Sequence, residues 1–231
     1  MIGSTVESTN RLLVAPKGLK SRLVEFIDNE ITYGKDGYIG IKINSLTDRD
    51  LIEKLAEASR AGVRVELIVR GICCLIPGVK GETENIRVIS IVGRFLEHSR
   101  IYIFGKNDRR RVYISSADFM TRNTERRVEV AAPILNKTIA DRVCGIFDTM
   151  LCDNIKAREL CVDGQYRRVS NAGKAPLNSQ SFFYEEAYKA AETAVPETSE
   201  KNTEKSSENA PAASAEKLET PAKVKIRKVR R

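Results

Sequence analysis

Hydrophobic and polar positions follow two different periods along the first part of the chain. In residues 20–33 the apolar side chains recur every three to four positions, which predicts an amphipathic helix that ends at Gly34. Residues 38–43 alternate between apolar and other positions, which predicts a strand. A second helical pattern begins at Thr47, interpreted as the start of a capping box, and stops at Gly62.

The next apolar segments predict a sheet. Residues 63–69 are almost continuously apolar, as expected for a strand covered on both faces, so the chain from 38 to 69 predicts a βαβ unit. Further strands are predicted at residues 86–92, 100–104, 111–115 and 128–132, with a hairpin signal at 105–108. Asn136 predicts the cap of a helix that closes the core, and Asn178 with Ser179 the cap of a last short helix. These patterns predict an α/β fold class.

Composition divides the chain into three parts. Residues 1–11 form a polar, unpatterned leader, and residues 12–190 carry the predicted elements of one domain. Residues 191–231 turn to Glu, Lys, Ser, Thr, Ala and Pro, which predicts a disordered C-terminal tail, and residues 223–231 give it a basic end. The abrupt start of the patterned sequence is typical of a domain cut from a larger protein.

Net charge indicates the kind of partner, and the number and spacing of the cysteines indicate the cellular compartment. The formal net charge of +8 favours polyanions such as nucleotides, nucleic acid, polyphosphate or an anionic membrane surface. No apolar run approaches the roughly 20 residues that cross a bilayer, so a soluble, cytoplasmic protein without a membrane is expected. Five cysteines without a C-x-x-C spacing, beside one histidine, argue against a zinc site and a disulfide framework. Free thiols in a reducing cytosol are the simpler interpretation.

Two residues are the main candidates for chemistry. Arg70 stands where strand 63–69 ends, and open parallel sheets collect ligands at the carboxyl ends of their strands. An arginine there is suited to bind phosphate oxygens in two-point fashion. His98 is the only histidine, and an imidazole exchanges a proton near neutral pH. The pair suggests phosphoryl chemistry, although a surface histidine and an arginine in an ordinary ion pair remain alternatives.

Second-rank candidates follow strand 111–115. Ser115, Ser116 and Arg122 occupy a polar exit from that strand and are candidate phosphate contacts. A loop stabilised by its own hydroxyl groups explains the serines equally well. Lys42 and Asn44 are weaker candidates, because a solvated strand end accounts for them.

The order of four motifs resembles a known family. Residues 67–73, 75–78, 96–100 and 115–123 resemble, in the correct order, the last catalytic domain of bacterial polyphosphate kinase. The resemblance implies a phospholipase-D-like α/β domain, with a mixed sheet flanked by helices. It implies reversible transfer of the terminal phosphate of ATP to inorganic polyphosphate, with Mg²⁺, through a phosphorylated histidine. That nucleophile belongs to a preceding domain, whose motif this sequence does not contain, and the metal ligands also lie outside this chain.

The resemblance assigns roles by motif position. Arg70 is similar to the family arginine that contacts nucleotide phosphate, and His98 to the second active-site histidine, which contacts phosphate and is suited to catalytic proton transfer. The expectation is therefore a C-terminal catalytic-domain fragment or split subunit of a polyphosphate kinase, incomplete by itself. Its expected partners are ATP or ADP, polyphosphate, and a chain that carries the nucleophile domain or further copies of itself.

Two other functions remain open. One is a non-catalytic module that binds polyphosphate or nucleotides. The other is a homodimeric phosphodiesterase, which phospholipase-D relatives build from His-x-Lys followed by an Asp five positions after the Lys. Here Arg100 replaces the lysine and Gly105 stands at the Asp position, which argues against that possibility. The basic end of the tail either binds polyphosphate or RNA, or only keeps the chain soluble.

Overall fold

A single mixed β-sheet organises the chain. The structure, a computed structural model, describes residues 11–194 with the exception of residue 171. Within that range the sheet has nine strands: β1 (Leu13–Val14), β2 (Tyr38–Ile43), β3 (Arg64–Val69), β4 (Ile86–Ile91), β5 (Arg100–Phe104), β6 (Arg111–Ser115), β7 (Val130–Pro133), β8 (Ala157–Leu160) and β9 (Tyr166–Arg168). The α-helices in the same range are α1 (Leu19–Thr32), α2 (Arg49–Arg60), α3 (Lys137–Leu151) and α4 (Ser179–Ala194).

The strand order is β1-β7-β6-β5-β2-β3-β4-β8-β9. The central strands β2, β3 and β4 are parallel, and every other pairing is antiparallel. The predicted βαβ unit is therefore present as β2, α2 and β3. Because β5 runs against β2, the start of β5 lies at the same edge as the ends of the parallel strands. We call this the site edge; Ile43, Val69, Ile91 and Arg100 mark it.

Helices cover both faces of the sheet. On β2, Ile39, Ile41 and Ile43 pack with α1 and α2, whereas Gly40 and Lys42 lie on the face that carries α3. Gly40 leaves room for Phe147 of α3, whose ring would lie 3.0 Å from an added Cβ. The predicted α/β class, with a mixed sheet flanked by helices, is confirmed.

Side-chain caps define the starts of two helices. Asn136 caps α3 as predicted, because its side chain accepts the N–H of Ile139 at 3.1 Å. The cap of α2 is Asp48, whose carboxylate accepts the N–H of Leu51 at 3.3 Å. The predicted capping box at Thr47 is wrong by one residue, since the Thr47 N–H instead donates to the carbonyl of Phe119 at 2.8 Å.

The core does not close at α3, contrary to the sequence expectation. Strands β8 and β9 extend the sheet beyond β4, and Ala157 and Leu160 are buried. Asp153 joins these parts: its Oδ1 accepts three N–H groups from residues 155–157, and its Oδ2 accepts the N–H and hydroxyl of Ser179, each at 2.8 Å. The end of α3, the start of β8 and the start of α4 therefore meet at one carboxylate.

The ends of the chain lie largely outside the described range. The predicted leader is described only at Arg11, and the predicted tail only at residues 191–194, which are helical because α4 continues to Ala194. No helix in the described part of the chain is long and apolar enough to cross a membrane.

Candidate active site

Arg70 leaves β3 at the site edge with its backbone fixed. Its N–H donates to the carbonyl of Ile43 at 3.3 Å, and its carbonyl accepts the hydroxyl of Ser90 at 3.2 Å. Its guanidinium forms no hydrogen bond or ion pair with any other described residue. The main chain of Arg70 is thus fixed at the predicted place, and its guanidinium, which has no partner among the described residues, can bind an anion.

His98 lies against the guanidinium of Arg100. Nη1 of Arg100 is 3.1 Å from Nδ1 of His98 and donates to the His98 carbonyl at 2.9 Å, while Nη2 is 3.4 Å from Nε2. A neutral imidazole has one acceptor nitrogen, so at most one of the two ring contacts is a hydrogen bond. The exposed ring therefore lies against the guanidinium of Arg100, with both ring nitrogens within 3.4 Å of it.

Asp118 fixes that guanidinium from the other side. Its Oδ1 accepts Nε of Arg100 at 3.1 Å and the backbone N–H of Asn44 at 2.7 Å, and its Oδ2 accepts Nη2 of Arg100 at 2.9 Å. Burial would raise the pKa of Asp118, but the hydrogen bonds from Arg100 and Asn44 outweigh it and hold that pKa below its usual range. Asp118 is therefore an ionised carboxylate that fixes the position of the Arg100 guanidinium.

Lys42 is buried, which corrects its interpretation as part of a solvated strand end. Its side chain donates to the carbonyl of Ser99 at 3.2 Å and to the Ser99 hydroxyl at 3.0 Å, and it lies 3.5 Å from Glu97. Burial lowers the pKa of Lys42, against the opposing pull of Glu97. Asn44 is likewise only 7% exposed. Both side chains lie inside the fold and connect the end of β2 to other segments of the site edge, Lys42 through Ser99 and Asn44 through Asp118.

The hydroxyls of the second-rank candidates are used inside the fold. Ser115 donates to the carbonyl of Val130 at 3.1 Å and accepts the N–H of Ala117 at 3.0 Å. Ser116 donates to Glu129 and accepts the N–H of Val130 at 3.1 Å. These contacts match the alternative in which the serines stabilise their own loop.

Arg122, in contrast, is exposed at the start of a single π-helical turn, Arg122–Arg126. Its guanidinium has no hydrogen bond or ion pair within the described part of the chain. The serines and Arg122 as phosphate contacts stay predictions.

The site edge is suited to anions and not to a metal ion. Arg70, Arg100 and Lys42 supply positive charge there, and the two acids, Glu97 and Asp118, are already paired with cations. Among the described residues no group of three or more His, Cys, Asp or Glu side chains could hold a metal. The residues at this edge therefore do not fit Mg²⁺.

Sequence reasoning missed the residues that support the histidine. Arg100 and Asp118 lie inside two of the quoted motifs, yet 18 positions separate them, and only the pairing of β5 with β6 brings them together. Asp118 is the carboxylate that pairs with Arg100, and no local pattern in the sequence indicates this pairing.

Comparison with known proteins identifies the domain. The model of the family described as polyphosphate kinase C-terminal domain 2 matches residues 12–180. The chain belongs to the polyphosphate kinase family. The polyphosphate kinase of Bacillus cereus is 50% identical over 182 residues, which cover 78% of this chain and 26% of that protein. The polyphosphate kinase of Lactiplantibacillus plantarum is 47% identical over 184 residues, which cover 78% of this chain and 26% of that protein.

The fold matches a solved member of the family. The crystal structure of polyphosphate kinase from Porphyromonas gingivalis superposes with a TM-score of 0.77 at 38% identity, over 83% of this chain and 30% of that chain. The α/β fold that the motifs imply for the last catalytic domain of polyphosphate kinase is confirmed. The chain spans about a quarter of the length of the curated polyphosphate kinases that it matches.

Proposed function

We propose that this domain supplies Arg70 and His98 to the reversible transfer of a phosphate between ATP and inorganic polyphosphate. The observation that carries the proposal is the guanidinium of Arg70, which has no partner among the described residues and lies at the edge where Arg100 contacts His98. β3 and β5 flank β2, so their backbones lie about 10 Å apart, a span that a chain of phosphate groups bridges. Family membership supports the same assignment.

The two residues have different roles in this proposal. Arg70 binds phosphate oxygens, and its free donors suit the two-point contact that guanidinium makes with phosphate. His98 contacts the migrating phosphate and moves a proton at the ring nitrogen that does not accept a hydrogen bond from Arg100. The positive charge of Arg100, which lies against the His98 ring, favours the binding of an anionic substrate.

The rest of the reaction is assigned to other parts. The nucleophilic histidine comes from a region that matches the remaining three quarters of the relatives, on another chain or segment. Mg²⁺ accompanies ATP on ligands outside this domain, because the two acids of the site edge, Glu97 and Asp118, are already paired with cations. We further propose a cytoplasmic setting, in keeping with five free cysteines and with ATP as substrate.

A binding module without turnover is the second candidate. The cationic site edge favours it, because positive charge is sufficient to attract and hold polyphosphate. A homodimer that uses His98 from each copy is a third and weaker possibility. The three candidate functions differ in the source of the nucleophile: another region supplies it to the catalytic domain, a second copy of this chain supplies it to the homodimer, and the binding module needs none.

A chimera separates these functions. In the polyphosphate kinase of Bacillus cereus, the matching C-terminal quarter is replaced by residues 12–194 of this chain, and transfer of labelled phosphate from ATP to polyphosphate is measured. Turnover that requires His98 and Arg70 supports the proposal. Binding of polyphosphate without turnover supports the module, and label transfer by the isolated chain supports the homodimer. Mixing the isolated chain with the shortened kinase tests the split subunit.

A further inference from the structure

A buried glutamine connects α4 with the segment that carries the histidine. We call residues 92–99, between β4 and β5, the histidine loop. Gln180, the second residue of α4, is only 7% exposed, and its side chain pairs with the backbone of Phe95 in both directions. Oε1 accepts the Phe95 N–H at 3.0 Å, and Nε2 donates to the Phe95 carbonyl at 2.9 Å. The amide thus takes the place of a neighbouring strand.

The side-chain amide of Gln180 is also connected to the buried Lys42, through the carboxylate of Glu97. Nε2 of Gln180 also donates to Oε1 of Glu97 at 2.8 Å, and the other oxygen of Glu97 faces Nζ of Lys42 at 3.5 Å. Lys42 in turn donates to the carbonyl and hydroxyl of Ser99. The histidine loop is therefore held at Phe95, Glu97 and Ser99, and the last two residues flank His98.

Two features show that this contact is closely fitted. A Cβ at Gly93 would lie 2.3 Å from Oε1 of Gln180, so only glycine leaves room for the glutamine in this position. At the base of the same helix, Asp153 binds both the N–H and the hydroxyl of Ser179. The start of α4 is thus fixed to the core, and Gln180 extends from a fixed point to the loop.

We propose that Gln180 is a positioning residue, which fixes the imidazole of His98 against Arg100 through Phe95, Glu97 and Lys42. The proposal rests on the proposed function, in which His98 is a reacting group. Gln180 and Lys42 do not touch the substrate in this account. They act because a reacting group displaced by about 1 Å loses up to about 100-fold in rate.

The only histidine gives a direct test that does not depend on activity. The chain, purified without a histidine tag and labelled with ¹⁵N, gives the signals of one imidazole. These signals are compared between the unsubstituted chain and the variants Gln180→Ala and Gly93→Ala, the second of which displaces the glutamine without removing it. Gln165→Ala, at an exposed position in the turn between β8 and β9, is the matched control.

We expect shifted or broadened imidazole signals in Gln180→Ala and Gly93→Ala, and unchanged signals in Gln165→Ala. In the chimera, both site variants should lower kcat by about 10- to 100-fold and leave KM for ATP within about twofold, because orientation and not binding is lost. The double variant should fall no further than either single variant, since both remove one contact.

A folded Gln180→Ala chain with unchanged imidazole signals overturns the positioning role, even if its thermal midpoint falls. If Gln180→Ala does not fold, Gly93→Ala decides the question by the same signals. If His98→Gln leaves turnover of the chimera unchanged, the proposed function fails; the imidazole signals still decide whether Gln180 positions the ring.

Discussion

Arg100 and Asp118 form a two-point ion pair at the site edge, with Nε 3.1 Å from Oδ1 and Nη2 2.9 Å from Oδ2. Their side chains are 11% and 9% exposed. Nη1 of the same guanidinium donates to the His98 carbonyl, and Asp118 also accepts the N–H of Asn44. One carboxylate thereby ties the end of β2, the start of β5 and the candidate catalytic histidine together.

Removal of Asp118 is expected to destabilise the domain strongly. Asp118→Ala leaves the guanidinium of Arg100 mostly buried without its counter-charge, which should lower the free energy of unfolding by about 3 kcal/mol. The measurement is urea unfolding at neutral pH. The matched control is Asp163→Ala, whose partner Arg167 is 59% exposed, so water screens the pair and its loss should change stability little. Equal losses in the two variants would contradict the central place of the Asp118 pair.

Asp153 predicts how stability depends on pH. Burial would raise its pKa, but hydrogen bonds from Ser179, Lys156 and Ala157 prevail and hold that pKa below its usual range. A depressed pKa in the folded state contributes stability that is present above the unfolded pKa, about 3.9, and is lost as pH falls through the folded pKa.

The free energy of unfolding should therefore decrease steadily below about pH 4. Asp153→Asn should be less stable at pH 6, because its amide cannot accept at every position, and should lose less on acidification. Urea unfolding between pH 6 and 3 compares the two proteins. An equally steep acid decline in Asp153→Asn would show that other carboxylates cause it.

Elements with a strong local pattern were predictable. β2, β5 and β6 have the predicted bounds, because alternating apolar residues mark β2, short apolar runs mark β5 and β6, and glycine or polar residues mark the ends of all three. β8 and β9 were missed for a physical reason. β8 has four residues, of which only Ala157 and Leu160 are buried, and the residues of β9 are all exposed. β8 forms because it pairs with β4, which is distant in sequence, and β9 forms because it pairs with β8.

The candidate site shows the same limit. The positions of Arg70 and His98 at strand ends follow from local pattern. The burial of Lys42 does not, because it depends on Ser99, 57 residues away, lying across the end of β2. The contact of Gln180 with Phe95 joins residues 85 positions apart. Support of a site by distant residues requires the register of the sheet, which one sequence does not provide.

Arg70→Ala is expected to weaken phosphate binding without loss of stability. The guanidinium has no hydrogen bond or ion pair within the described residues, so its removal leaves no group unpaired. A hydrogen bond to a charged group contributes about 1.5–3 kcal/mol, so affinity for polyphosphate should fall about tenfold or more. Calorimetric titration of the chain with polyphosphate measures this loss. Arg60→Ala, at the far end of α2, removes the same charge away from the site edge and should bind almost normally; equal losses in both variants would indicate attraction by net charge alone.

His98→Gln is expected to lower turnover and to leave binding and folding nearly intact. Glutamine keeps a hydrogen-bonding group of similar reach but exchanges no proton near neutral pH, and a positioned acid or base contributes roughly 10²–10⁴-fold to rate. In the Bacillus cereus chimera, kcat should fall by that order while KM for ATP changes little. The thermal midpoint of the chain should stay close to the unsubstituted value, because His98 is exposed and its ring contacts only Arg100 among the described residues. Normal turnover in this stable variant would exclude His98 from the reaction and would leave Arg70 and Arg100 as a surface that only binds phosphate.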